Sequence, residues 1–171
     1  RAVSASRSLR DGGLAWGLDD GRVLLSRIDF RLDYSSGERR VQPLFTEGDA
    51  IVLDPRGEAV RDLAFQDEGE GRSAVAGISP TGRVLLVLRQ EQQGLLGPGE
   101  LVAGAYELTA DLEAGARTLL LDRRLRRLLV GMDNGHIAEW KLGDVDERPA
   151  YQGSFKAADA AITALAHVLG D

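Results

Sequence analysis

Two histidines, His136 and His167, are the side chains of this sequence best suited to proton transfer or metal ligation near neutral pH. Neither lies in a His-Glu-x-x-His run, and neither has a second histidine at metal-ligand spacing. His136 fills the slot that Arg22 and Arg83 hold in two similar upstream stretches, which predicts a solvent-facing strand residue. His167 falls where packing or a sheet-edge role is expected. Three acidic pairs are the next candidates. Asp19 and Asp20 form a hairpin turn, where aspartate hydrogen-bonds its own backbone. Asp67 and Glu68 stand in "QDEGEGR", which reads as a flexible loop. Asp144 and Asp146 in "DVDER" suggest calcium, but the glycine and distal glutamate of a calcium loop are missing.

A cluster of arginines, Arg123, Arg124, Arg126 and Arg127, crowds "DRRLRRLL". Such a patch suits an anion or an acidic partner. The pattern favours a solvated hairpin whose charge Asp122 partly answers. No Gly-rich phosphate loop opens a helix, and no Gly-x-Ser-x-Gly elbow occurs. The two tryptophans, Trp16 and Trp140, read as core packing. No catalytic, cofactor-binding or metal-binding residue is therefore assigned, and a non-enzymatic protein without a cofactor is expected.

The elements that carry these residues repeat. "LDDGRVLLS", "SPTGRVLLV" and "MDNGHIAEW" each place a turn ending in glycine before a basic side chain, a β-branched residue and an apolar strand. Gly21, Gly82 and Gly135 stand 61 and 53 residues apart. Before each glycine lie two strand candidates: "RAVSAS" and "GLAWGL", "VRDLAF" and "SAVAGI", "ARTLLL" and "RLLVGM". A weaker fourth strand follows each third one, as "RVQPLF", "LVAGAYEL" and "AYQGSF". Four short antiparallel strands in tandem predict an all-β, β-propeller-like chain, because stacking covers the two faces that each four-stranded unit exposes. The units span about 1–53, 60–108 and 116–156, and "ITALAH" begins a further one at 162–171. An incomplete propeller of this kind is a single domain over 1–171 with exposed ends, and self-association is expected. The alternative is α+β, since Leu121, Leu125, Leu128 and Leu129 fit a helical period and "KAADAAITALAHVL" is alanine-rich.

Composition narrows the function. The 171 residues carry 21 basic and 27 acidic side chains, a net charge of −6 that disfavours nucleic acid and anionic membrane surfaces. The absence of cysteine removes disulfides and thiolate chemistry. No run approaches the roughly 18 apolar residues of a membrane-spanning helix. The abrupt start at Arg1 suggests a piece of a larger protein.

The stretches "GLAWGLDDGRVLLSRIDFRLDY", "IVLDPRGEAVRDLAF", "GISPTGRVLLVLR" and "TLLLDRRLRRLLVGMDNGHIAEWKL" together resemble the soluble, propeller-like insert of a bacterial phosphate ABC transporter permease subunit. The resemblance covers nearly the whole chain and lies in overall pattern rather than in catalytic residues. It implies a periplasmic accessory domain of an inner-membrane importer, acting in docking or regulation. The implied partners are the rest of the permease, the phosphate-binding protein and, through the complex, the ATPase subunits. No residue here matches a phosphate-coordinating or transport-path position. Two rivals share the fold: a WD-like interaction scaffold unrelated to transport, and a fragment of a propeller enzyme, which would need converging polar or metal-binding residues.

Overall fold

The computed structural model describes residues 1–8, 12–35, 37–69, 71–92 and 99–168. They form twelve strands in three four-stranded antiparallel sheets, with no α-helix among the described residues. The first sheet holds β1 (Ala2–Arg7), β2 (Gly13–Leu18), β3 (Arg22–Asp33) and β4 (Arg40–Val52). The second holds β5 (Asp62–Gly69), β6 (Arg72–Ile78), β7 (Val84–Gln92) and β8 (Glu100–Glu107). The third holds β9 (Ala116–Leu121), β10 (Arg127–Met132), β11 (His136–Lys141) and β12 (Ala150–Lys156). Within each sheet, neighbours in sequence are neighbours in space.

The turns that close the second and third strands explain this order. Gly21, Gly82 and Gly135 adopt φ of +80°, +81° and +81°, a region in which a side chain costs about 1 kcal/mol or more. The Gly21 carbonyl accepts hydrogen bonds from the N–H groups of Leu53 and Asp54. The Gly135 carbonyl does the same for Ala157 and Ala158. The chain then leaves the first and third sheets by one route: Val60 N–H donates to the Leu18 carbonyl, and Ile162 N–H donates to the Met132 carbonyl, at 3.1 and 3.0 Å.

Each sheet also stacks in one direction. Opposite residues of an antiparallel pair share a face. Val23, Val84 and Ile137 pair with Gly17, Ile78 and Gly131 and define a forward face in their sheets. The next residues, Leu24, Leu85 and Ala138, define the back face. Ala15 and Val23 of the first sheet pack on Leu63, Phe65, Val75, Leu85 and Val87 of the second. Ala76, Ile78, Val84 and Leu86 of the second pack on Leu128, Val130, Ala138 and Trp140 of the third. The middle sheet is thus covered on both sides, which is why "SAVAGI" and "VLLVL" are continuous apolar runs.

The first strands run side by side, β1 beside β5 and β5 beside β9. Polar side chains of one cap the free edge of the next. Ser6 Oγ and Ser8 Oγ accept the N–H groups of Phe65 and Asp67, and Asp62 Oδ2 accepts that of Leu119 at 3.0 Å. Ser4 Oγ donates to the Val60 carbonyl.

Two expectations are corrected and one alternative is removed. "QDEGEGR" is not a loop from Gln66 onward: β5 runs to Gly69 and β6 starts at Arg72, and Glu70 between them lies outside the described residues. Leu121 to Leu129 form the strand, turn and strand that the repeat predicts, and the alternative helix does not form, with Leu125 at φ +49° and fully buried. "ITALAH" at 162–167 joins no sheet, since no second strand lies beside it among the described residues. Residues 169–171, the end of that expected unit, lie outside the described residues.

Candidate functional site

A polar cleft of about 440 Å³ opens where the second and third sheets meet. Ile78 and the turn Ser79–Gly82 form one wall, Gly115–Thr118 at the start of β9 the other, and Arg61, Asp62, Asp133 and Thr163 complete the lining. Ser79 Oγ and Thr81 Oγ1 lie 2.8 Å apart, and Thr81 donates to Glu58 Oε2 at 2.6 Å. The hydroxyls of Thr81 and Ser79 hold the Glu58 carboxyl below its ordinary range, so this hydroxyl–carboxylate contact contains a poor general base. Burial pushes the Asp62 carboxyl up, against the stabilising N–H groups of Leu119 and Leu63. Arg117 is tied to Asp133 across the turn. The cleft offers hydrogen-bonding groups to a ligand.

A buried ion network lies beside it. Arg83, only 7% exposed, bonds to the fully buried Asp54 and reaches Glu58 and Glu107 at 3.5 Å each. Burial raises the Asp54 carboxyl, but the Arg83 guanidinium and the Arg56 N–H outweigh that and hold it low. Asp54 in turn raises the Arg83 guanidinium. The network joins the link after β4 to the turn before β7. Sequence reasoning missed it, because Arg22, in the equivalent slot, is half-exposed and pairs with Asp20 of its own turn at 2.7 Å.

The residues singled out from sequence are dispersed. His136 is half-buried rather than solvent-facing, with Nδ1 3.8 Å from Glu113. His167 Nε2 lies 2.9 Å from the Leu121 carbonyl, 46 positions earlier in the chain. Asp19 meets the N-terminal ammonium, and Glu68 meets Arg72 at 3.4 Å. Asp67 is an edge-strand residue whose Oδ1 accepts the Gly69 N–H. Asp144 and Asp146 are exposed in the connection between β11 and β12. Asp122 Oδ1 caps the N–H groups of Arg126 and Arg127, as a hairpin requires, and Arg127 reaches Glu139 at 3.1 Å. Arg123 and Arg124 are exposed beside it. Trp140 is fully buried, with its Nε1–H on Asp111 and its ring 5.2 Å from that of Tyr151. Trp16 is half-buried on the open back face of the first sheet, with its Nε1–H on Ser26 Oγ at 2.9 Å.

Among the described residues, no group of three or more His, Asp or Glu side chains is placed to hold a metal ion, and no helix is long and apolar enough to cross a membrane. No protein-family model matches the chain, and no curated protein matches it at a significant level.

Proposed function

We propose that this chain is a non-catalytic, propeller-like accessory domain that works by docking, and that its parent is the permease subunit of an ATP-driven inorganic phosphate importer. The observation that supports the docking role is the one-way stacking of the sheets, in which forward faces mate with back faces and the first strands lie side by side. Such stacking is what a propeller-like reading requires, since each four-stranded unit covers the open face of its neighbour and leaves loops and edges for partners. Fold alone does not set function. The transport assignment rests on the likeness of "LAWGLDDGRV", "VLDPRG" and "LLLDRRLRRLLV" to the permease insert. In that setting the domain lies on the periplasmic side and meets the remainder of the permease, the phosphate-binding protein and, indirectly, the ATPase subunits.

The parent gene tests the assignment. Apolar segments of about 20 residues on both sides of the domain are expected. Soluble repeat sequence continuing on both sides, with no such segment, would overturn the transporter reading and favour a WD-like scaffold.

A further inference from the structure

Both ends of the stack carry an open face; on the third sheet Ile137, Leu120, Leu129 and Phe155 share it with Thr118, and its far end carries the Arg127–Glu139 ion pair and Lys141. The forward face of the first sheet is centred on Val23 and that of the second on Val84, and both side chains are fully buried. Their equivalent on the third sheet, Ile137, is only half-buried, and it pairs with the exposed Phe155. The back faces behave in the same way. Leu85 and Ala138 are buried, whereas their equivalent Leu24 is half-buried on the first sheet, beside Trp16. The apolar back face continues along the β3–β4 ribbon. There Ile28 pairs with Phe45, Phe30 with Pro43 and Leu32 with Val41, so six apolar side chains share one face. Phe30 is 68% exposed and Phe45 58%.

We propose that a second copy of this chain covers these faces head to tail, the forward face of the third sheet seating the back face of the partner's first sheet. The contact repeats the two sheet-to-sheet contacts already inside the chain. Ile162 shows how the third sheet is prepared for it. It leaves by the same hydrogen bond as Val60 and lies over Gly131 as Val60 lies over Gly17. Val60 is buried between the first and second sheets, and Ile162 becomes buried in the same way when the partner docks. The segment 164–168, mostly exposed and paired with no strand, gives its place to the partner's β1.

Because each copy carries one face of each kind, two copies satisfy one another around a twofold axis, and three sheets from each make six. That number lies within the four to eight of closed propellers. A four-stranded face six residues long measures about 20 by 20 Å, so the two contacts together cover roughly 1,600 Å², the size of a stable interface. The proposal rests on the propeller-like stacking described above and not on the transporter assignment.

Sedimentation velocity of the full chain, with Leu24→Arg and Ile137→Arg as separate variants, tests it. The wild type is expected to form a discrete species of twice 18.4 kDa. Each variant alone is expected to lose that species, with circular dichroism unchanged because both side chains lie at open ends of the stack. Mixing the variants is expected to restore a weaker one-to-one pair, since the intact forward face of one meets the intact back face of the other. A wild-type monomer at every concentration overturns the proposal, as does a ladder of sizes. Pairing retained by either variant alone also overturns it, because like faces would then be joined. Amide proximity signals between β1 and β5 and between β5 and β9, recorded on the same sample, report the stacking itself. If they are present in a monomer, only the pairing fails; if they are absent, the stacking fails.

Discussion

Replacing Arg83 with methionine removes the cation that neutralises Asp54 while keeping most of the side chain's apolar bulk. Asp54 has no exposed surface, so the variant leaves a carboxylate desolvated and without its ion partner, though still accepting the Arg56 N–H at 2.8 Å. Breaking a buried pair in this way costs 3–5 kcal/mol. The lower end applies here, about 3 kcal/mol, because the partly exposed Glu107 admits solvent to the network. At 2–4 °C per kcal/mol for a chain of this length, the melting temperature should fall by about 6–12 °C. Arg22→Met is the control in the equivalent slot. Its guanidinium is half-exposed and paired with a half-exposed Asp20, so its loss should cost far less than that of Arg83. Urea unfolding followed by circular dichroism at neutral and acid pH measures both. In the folded wild type the Asp54 carboxyl titrates below its unfolded value. The stabilisation is therefore present in full above the unfolded value, near pH 4, and is lost as the pH falls through the lower folded one. The gap between wild type and Arg83→Met should shrink across that window. A gap as small as that of Arg22→Met, or one that ignores pH, would refute the buried-network account.

Asp62 carries the opposite sign. Burial raises its carboxyl, so its charge opposes folding above the raised value, and that penalty is relieved as the pH falls through it. Asp62→Asn should be neutral or stabilising at pH 7, since an amide oxygen can still accept the Leu119 N–H, whereas Asp62→Ala should cost about 1–2 kcal/mol in urea unfolding. Gly82→Ala and Gly135→Ala should differ although both have positive φ. Nothing lies within 4 Å of a Cβ at Gly82, so strain alone of about 1 kcal/mol is expected; at Gly135 the Ala158 backbone stands in the way, and the larger fall in thermal midpoint should be there. Trp140→Phe should lose about 1–3 kcal/mol from the vacated volume and the orphaned Asp111 contact, read by chemical denaturation.

The strands were legible because their punctuation is local. β2, β9 and β10 occupy the segments that glycine turns and apolar runs mark out, residue for residue. The helical rival at 121–129 failed on a single backbone event, the left-handed Leu125, which no periodicity signals. The ends of the third and fourth strands were less legible. β3 and β4 run on as a two-stranded ribbon well beyond β2, through the charged positions Asp29, Arg31 and Asp33. Those charges disguise a strand whose other face is apolar. The polar cleft and the Arg83 network could not be read at all, because they join residues from about 20 to about 100 positions apart whose types are ordinary in turns. Arg83 and Arg22 follow the same turn glycine, and only the neighbouring sheet distinguishes them: Asp54 lies beneath one and solvent over the other.

Among the described contacts, the capping of backbone N–H groups runs from one first strand, or the residue just after it, to the next, while the return contact from Gln66 Nε2–H to Ser8 Oγ at 3.2 Å meets a side chain. Ser6 and Ser8 complete the edge of β5, and Asp62 completes β9, but no side chain of β5 or β9 is needed to finish β1 among these contacts. Each sheet is thus a template for its successor. A chain synthesised from its N-terminus presents these templates in the order in which they are used. The first sheet can be in place, hydroxyls outward, before β5 emerges, and the second before β9. Reordering the units by circular permutation would keep every contact of the finished protein and yet reverse that schedule, so its cost would fall on the yield of folding during synthesis rather than on the stability of the product.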